Sequence, residues 1–194
     1  MPEFSTADRK ELLALARETI LSYLKTQKRP DRKNLNPRFE EKLGVFVTLR
    51  RNGELRGCIG YPMPHKSVFK AVIDNAIASA FEDPRFPPLT VGELSGIDIE
   101  ISILTLPVEI NRVEEIVVGR DGIIISKGYN RGLLLPQVPV EQGWNLVQYA
   151  SYGCIKAGLA ADEWRKKVRI ETFQAIVFGE KEEGEAIGKG AENN

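Results

Sequence analysis

Between residues 6 and 26 the apolar positions Leu12, Leu13, Ala16, Ile20, Tyr23 and Leu24 recur at helical spacing. That recurrence places them on one stripe of an amphipathic helix, with Ser5 or Thr6 standing where an N-cap is needed. The polar stretch Lys28 to Pro37, punctuated by Pro30 and Pro37, reads as a loop. Val45, Val47 and Leu49 then alternate with Phe46, Thr48 and Arg50, Asn52-Gly53 supplies a tight turn, and Glu54 to Gly60 returns as the second arm of a β-hairpin. After the proline-flanked stretch Tyr61 to His65, the positions Val68, Phe69, Val72, Ile73, Ala76, Ile77 and Ala80 predict a buried helix that stops near Asp83, ahead of Pro84.

Ile97, Ile99, Ile101 and Ile103 alternate with Asp98, Glu100 and Ser102, the period of a strand with one face in a core. A second hairpin is predicted from Gly122-Ile123-Ile124-Ile125 and Leu133-Leu134-Leu135 around a Gly128 to Gly132 turn. Another helix follows, with Trp144, Val147, Ser151, Cys154, Ile155 and Gly158 as its stripe. The last stretch, Val168 to Phe178, reads as one strand whose alternation changes phase between Ile170 and Phe173, which predicts a bulge or burial on both faces. Residues 180–194 are rich in Gly, Glu, Lys and Asn and read as a flexible tail.

Strand pairs interleaved with single helices predict an α+β fold with mixed or antiparallel sheets flanked by helices. The first helix has no sheet partner until later strands form. We therefore expect two closely packed lobes in which the N- and C-terminal parts share the larger one: residues 1–60 and 90–179 in the larger lobe, 61–89 with adjoining strands in the smaller.

The 27 Lys plus Arg residues balance 27 Asp plus Glu, so no global field exists to gather polyanions. This argues against a nucleic-acid role. The N-terminus lacks the pattern of a targeting signal and no apolar run approaches bilayer length, so a cytoplasmic chain with no membrane partner is expected. Cys58 and Cys154 are too few for a disulfide scaffold or a zinc site, and are expected to be free thiols with no metal. The tail segment Gly184 to Lys189 is one residue too short between its glycines for a phosphate loop.

Candidate chemistry concentrates in Leu55-Arg56-Gly57-Cys58-Ile59-Gly60. Period-two geometry puts Arg56 and Cys58 on one face, where a guanidinium favours the thiolate of a nucleophile or redox-sensitive cysteine. Gly57 and Gly60 remove bulk and let a ligand or another backbone approach. The plainer alternative makes Cys58 a small hydrophobe, Arg56 a surface charge and the glycines a bend. His65, the single histidine, lies seven positions after Cys58 and is a candidate base, or else a solvated loop residue. Glu141-Gln142 near the start of the helix at Trp144, and Asp83-Pro84-Arg85 after the second helix, offer acid, base or anion contacts, or ordinary helix-end electrostatics.

At these residues the sequence resembles the AMMECR-type domain family, named after the chromosomal region of Alport syndrome, intellectual disability, midface hypoplasia and elliptocytosis. The six-residue hallmark Leu55 to Gly60 is followed in order by Asp83-x-Arg85-Phe86-Pro87-Pro88, Glu93-Leu94, Ser102-Ile103-Leu104-Thr105, Gly122-Ile123, Leu135-Pro136 and Glu141-Gln142-Gly143-Trp144. The resemblance implies a two-lobed fold with the hallmark strand near an inter-lobe cleft, no securely established reaction, and a pathway shared with Memo-type and radical S-adenosylmethionine proteins; the cofactor stays unknown.

Two functions stay open at this point. One is a small-ligand-binding or thiol-dependent enzyme in which Arg56 holds an anionic group, Cys58 reacts, and Glu141 or His65 moves protons; Gly57, Gly60, Asp83, Arg85, Phe86, Gln142 and Trp144 would line it. The other is a non-catalytic interaction or regulatory module that receives a partner protein on the connector Arg85 to Leu89.

Overall fold

The computed structural model describes residues 4–181. The expected tail, apart from Glu180 and Lys181, and the segment Gly184 to Lys189 lie outside them. The chain is α+β and divides into two units: residues up to Ile103 together with those from Ile176 onward, and Leu104–Ala175 between them. N- and C-terminal parts thus share the first unit. The boundaries differ from those expected, because residues 61–89 belong to that unit and Leu104–Ala175 forms the second.

In the first unit, α1 (Thr6–Thr26) begins at Ser5, whose hydroxyl accepts the Asp8 N–H while the Asp8 carboxylate accepts the Ser5 N–H at 2.9 Å. This reciprocal cap satisfies two donors that would otherwise be orphaned. Its buried stripe is Leu12, Leu13, Leu15, Ala16, Thr19 and Ile20. The hairpin β1 (Gly44–Arg51) and β2 (Glu54–Tyr61) turns on Asn52 and Gly53, both at positive φ, 54° and 85°. With β3 (Ile97–Leu104) and β8 (Ala175–Gly179) these strands form one sheet in the order β2-β1-β3-β8, so β2 is an edge strand.

The apolar helix α2 (Val68–Phe81) packs on β1 and β2, with α1 against it. It is buried nearly all round, from Val68 to Ala80. Two features permit this: the buried Asn75 amide donates to the Val45 carbonyl at 2.9 Å, and Gly57 leaves room for the helix, since a Cβ placed there would sit 2.1 Å from the Ser79 carbonyl oxygen. Arg17 on α1 pairs with Glu180 just beyond β8 and donates to the Ile97 carbonyl at 2.6 Å, fastening the returning C-terminal strand to the N-terminal helix.

The second unit holds a separate sheet in the order β4-β7-β5-β6, made of β4 (Val108–Ile110), β5 (Gly122–Lys127), β6 (Asn130–Leu134) and β7 (Arg169–Phe173), with antiparallel neighbours throughout. Two helices accompany it, α3 (Gln137–Glu141) and α4 (Leu146–Lys156). Its core gathers Ile116, Ile123, Ile125, Tyr149, Cys154 and Ile170. The Tyr149 hydroxyl donates to the Asp121 carbonyl at 3.1 Å, tying α4 to the start of β5.

Three expectations are corrected here. Val168 to Phe178 is two strands: β7 belongs to the second unit's sheet and β8 to the first's, and the phase change marks Gln174, where the chain leaves one sheet for the other. α4 buries Tyr149, Ala150, Gly153 and Cys154, whereas Val147 and Ile155 of the expected stripe are about half exposed. Gly132 is a strand residue, where a Cβ would meet the Ala157 nitrogen of the α4 terminus at 2.4 Å. The short strand β4 and helix α3 carry too little periodicity to be read in advance. Among the described residues no helix is long and apolar enough to cross a membrane.

Candidate functional site

The site is built on the outer edge of β2. Thr48 and Cys58 are cross-strand partners, and the Thr48 hydroxyl donates to the Cys58 sulfur at 3.3 Å. An edge strand presents unpaired main-chain groups. Here those of Cys58 are taken by the turn after α2: the Asp83 carboxylate accepts the Cys58 N–H at 2.9 Å, and the Arg85 Nη2 donates to the Cys58 carbonyl at 3.1 Å. Asp83 and Arg85 also hold each other through Nε to Oδ1 at 2.9 Å and Nη2 to Oδ2 at 2.7 Å. A carboxylate and a guanidinium therefore stand in for a neighbouring strand.

The electrostatics follow from that clasp. The Arg85 guanidinium, helped by the Cys58 and Arg85 N–H groups, holds the Asp83 carboxyl far below the ordinary carboxylate range against the opposing effect of burial. Asp83 raises Arg85 in return. The Asp83 side chain is 2% exposed and that of Arg85 54%, so the pair presents its guanidinium outward. The aromatic ring of Phe86 lies 5.5 Å from the Arg85 guanidinium carbon and 6.0 Å from that of Arg56.

Arg56 is held differently from expectation. The register of β1 and β2 shifts between Leu49 and Arg50, with Leu49 opposite Gly57 and Arg50 opposite Leu55, so Arg56 is the extra residue of a β-bulge. Period-two alternation does not carry across that bulge, and the argument that Arg56 and Cys58 share a face loses its basis. The Arg56 guanidinium instead makes a two-pronged pair with Glu93, Nε to Oε1 at 2.9 Å and Nη2 to Oε2 at 3.2 Å, while Nη1 is buried with no hydrogen-bond partner among the described residues. Arg56, with the Thr90 N–H, pulls the Glu93 carboxyl down to about 2.

Glu93 is the residue that sequence reasoning did not single out as functional. It closes a capping box with Thr90, accepting the Thr90 N–H at 3.0 Å, and receives both Arg56 and Arg51. The Thr-x-x-Glu spacing of that box was visible in the sequence. Its arginine partners, distant along the chain, were not.

The remaining candidates divide. The spaces beside Gly57 and Gly60 belong to the protein's own neighbours, the Ser79 main chain and the Phe46 ring. His65 is exposed in the turn after β2, its N–H bonded to the Met63 carbonyl at 2.8 Å, and its ring makes no hydrogen bond to Cys58 among the described residues. Glu141, Gln142 and Trp144 belong to the second unit, where Glu141 and Gln142 are exposed at the end of α3, not at the start of α4, and Trp144 stacks on Tyr152 with ring centroids 4.0 Å apart. The first unit thus brings together Cys58, Asp83, Arg85 and Phe86 over the Arg56–Glu93 pair. Both cysteines are free, and no group of three or more His, Cys, Asp and Glu among the described residues could hold a metal.

The AMMECR1 family model matches residues 13–178, which takes in both units and every residue of the clasp. The chain belongs to the AMMECR1 family. It is 45% identical to Protein Mbar_A1807 of Methanosarcina barkeri over 177 residues, covering 87% of this chain and 88% of the relative. It is 48% identical to Protein MJ0810 of Methanocaldococcus jannaschii over 161 residues, covering 78% and 80%. The crystal structure of protein PH0010 from Pyrococcus horikoshii superposes with a TM-score of 0.78 at 44% identity, over 89% of this chain and 91% of that one. For an AMMECR1 chain the hallmark now has a physical reading: Gly57 admits α2, Arg56 fastens Glu93, and Cys58 is the strand position that Asp83 and Arg85 grip.

Proposed function

We propose that this AMMECR1 chain binds a small ligand carrying acceptor oxygens, a carboxylate or a phosphate, at the outer edge of β2, where Arg85 anchors the ligand and Cys58 is the adjacent thiol. The observation that supports this reading is the fixed orientation of Arg85. Its Nε and Nη2 are committed to Asp83 and to the Cys58 carbonyl, leaving Nη1 without a partner among the described residues on a side chain that is 54% exposed. A guanidinium already ordered in this way loses little rotamer freedom when it binds. Because Asp83 neutralises the pair, selectivity comes from directed N–H donors and not from a positive field. On this reading the half-buried Cys58 thiol, which accepts a hydrogen bond from Thr48, serves as a recognition group or as a nucleophile toward the ligand.

A screen of anionic metabolites by thermal shift on wild type, Arg85→Ala and Cys58→Ser tests the reading. A ligand whose affinity falls at least about tenfold in Arg85→Ala supports it, and conversion of that ligand abolished by Cys58→Ser adds thiol chemistry. A screen in which no ligand depends on Arg85 or Cys58 rejects it. A second reading, a protein-interaction surface, has one observation of its own. The exposed Pro87 and Pro88 extend from the half-buried Phe86 to Leu89, which is 3% exposed and donates its N–H to Ala80 at 2.8 Å, so the connector is rigid as well as exposed.

A further inference from the structure

The helix α2 carries an electrostatic pattern at odds with ordinary helix design. Its first turn contains no acidic residue, its N-cap Ser67 makes no side-chain capping bond, and lysines stand at positions 66 and 70. A helix start is already electropositive, so lysines there cost stability unless an anion is close. On the same face, one and two turns on, the carboxylate of Asp74 is 7% exposed and is shared by Lys66 and Arg29, the latter from the loop after α1. Lys70 has no partner among the described residues. Three cations therefore face one carboxylate, leaving positive charge in excess on a chain whose overall charge is balanced.

These groups rim a pocket of about 530 Å3 that Phe69 and Ile73, each 8% exposed, also line and supply with an apolar floor. That volume lies within the roughly 300–1,000 Å3 typical of small-molecule sites. Arg32 also lines the pocket, but it is engaged with Glu18 at 2.5 Å. An occupant must satisfy two features together: negative charge for the rim, and an apolar or aromatic body for the floor. A fully hydrophilic anion leaves the floor unused, and a neutral aromatic leaves the cations unmatched.

We propose that the face of α2 from Lys66 to Asp74, closed by Arg29, is a binding site for a phosphomonoester with an aromatic body, of the nucleoside monophosphate or aryl phosphate class. It shares no residue with the β2 edge. The phosphate takes Lys70 and the outward donors of Lys66 and Arg29, with Asp74 holding those two cations in place; the ring lies on Phe69 and Ile73. No covalent step is involved.

Calorimetric titration of the full chain at low ionic strength tests this, with adenosine 5′-monophosphate and phenyl phosphate as probes and adenosine and inorganic phosphate as the separated halves. The expected result is saturable binding of at least one phosphomonoester, each half binding at least about tenfold more weakly. Lys70→Glu replaces an exposed, unpaired side chain and leaves the fold intact; it weakens binding at least about tenfold, whereas the same charge change at exposed Lys167 in the second unit leaves it unchanged. Absence of saturable binding by both phosphomonoesters, an affinity unaltered by Lys70→Glu in a protein that unfolds at the wild-type temperature, or inorganic phosphate binding as tightly as its esters overturns the proposal.

Discussion

The Asp83 carboxylate accepts the main-chain N–H of Cys58 at 2.9 Å, so a side chain from the turn after α2 completes the hydrogen bonding of an edge strand. Hydrogen bonds to charged groups contribute roughly 1.5–3 kcal/mol, and removing the carboxylate also releases Arg85 from its fixed orientation. Asp83→Ala is therefore expected to lower stability by about 2–3 kcal/mol and to speed exchange of the Cys58 amide well beyond that of the β1-paired amides. Hydrogen exchange followed by NMR checks it; an unchanged Cys58 amide would show that the clasp is not what protects the edge.

Gly57 is required by packing. A Cβ there would lie 2.1 Å from the Ser79 carbonyl oxygen, a main-chain atom of a buried helix that cannot move alone. Gly57→Ala should cost about 2–3 kcal/mol in urea denaturation, as overpacking does. Gly92→Ala, where nothing lies within 4 Å, should stay within about 0.5 kcal/mol of wild type.

The Arg56–Glu93 pair predicts an acid-sensitive increment of stability. Glu93 is held down at about 2 in the folded chain, against an ordinary 4.5 in the unfolded one. A depressed carboxyl stabilises fully above its unfolded value and loses that contribution as pH falls from about 4.5 toward 2. Glu93→Gln should accordingly be less stable than wild type at pH 7 by roughly 2 kcal/mol, with the gap closing over that window. Thermal denaturation of both proteins from pH 7 to pH 2.5 measures it; a gap independent of pH would contradict the assignment.

The two thiols should separate cleanly. Cys58 is half-buried at the β2 edge, whereas Cys154 is fully buried on the inner face of α4 and burial pushes its thiol up. With a disulfide reagent at pH 8, one equivalent should react in the folded protein and a second only on denaturation, the fast phase disappearing in Cys58→Ser. Two fast equivalents would show that the second unit opens readily.

Much of the fold was legible because its signals are local. The stripe from Leu12 to Ile20, the Asn52-Gly53 turn and the isoleucine alternation of β3 each state within a few residues what the backbone must do. The errors arose where tertiary partners decide. In α4 the apolar Val147 and Ile155 suggested one face, but the unit buries Tyr149 and Gly153, whose missing side chain lets the helix approach Ile123 and Ile125. At Arg56 an assumed unbroken alternation failed because a bulge adds one residue opposite β1.

The site divides in the same way. The hallmark strand, Asp83, Arg85 and Phe86 could be named from the sequence, since their types and order along the chain are written there. What each one holds could not: Glu93 rather than a ligand meets Arg56, and Arg85 rather than Arg56 reaches Cys58. Periodicity is a property of neighbouring residues and survives in the one-dimensional record. A salt bridge between residues 37 positions apart, or a guanidinium–carbonyl hydrogen bond between residues 27 apart, exists only once the chain has folded, because it depends on distances that sequence separation does not set.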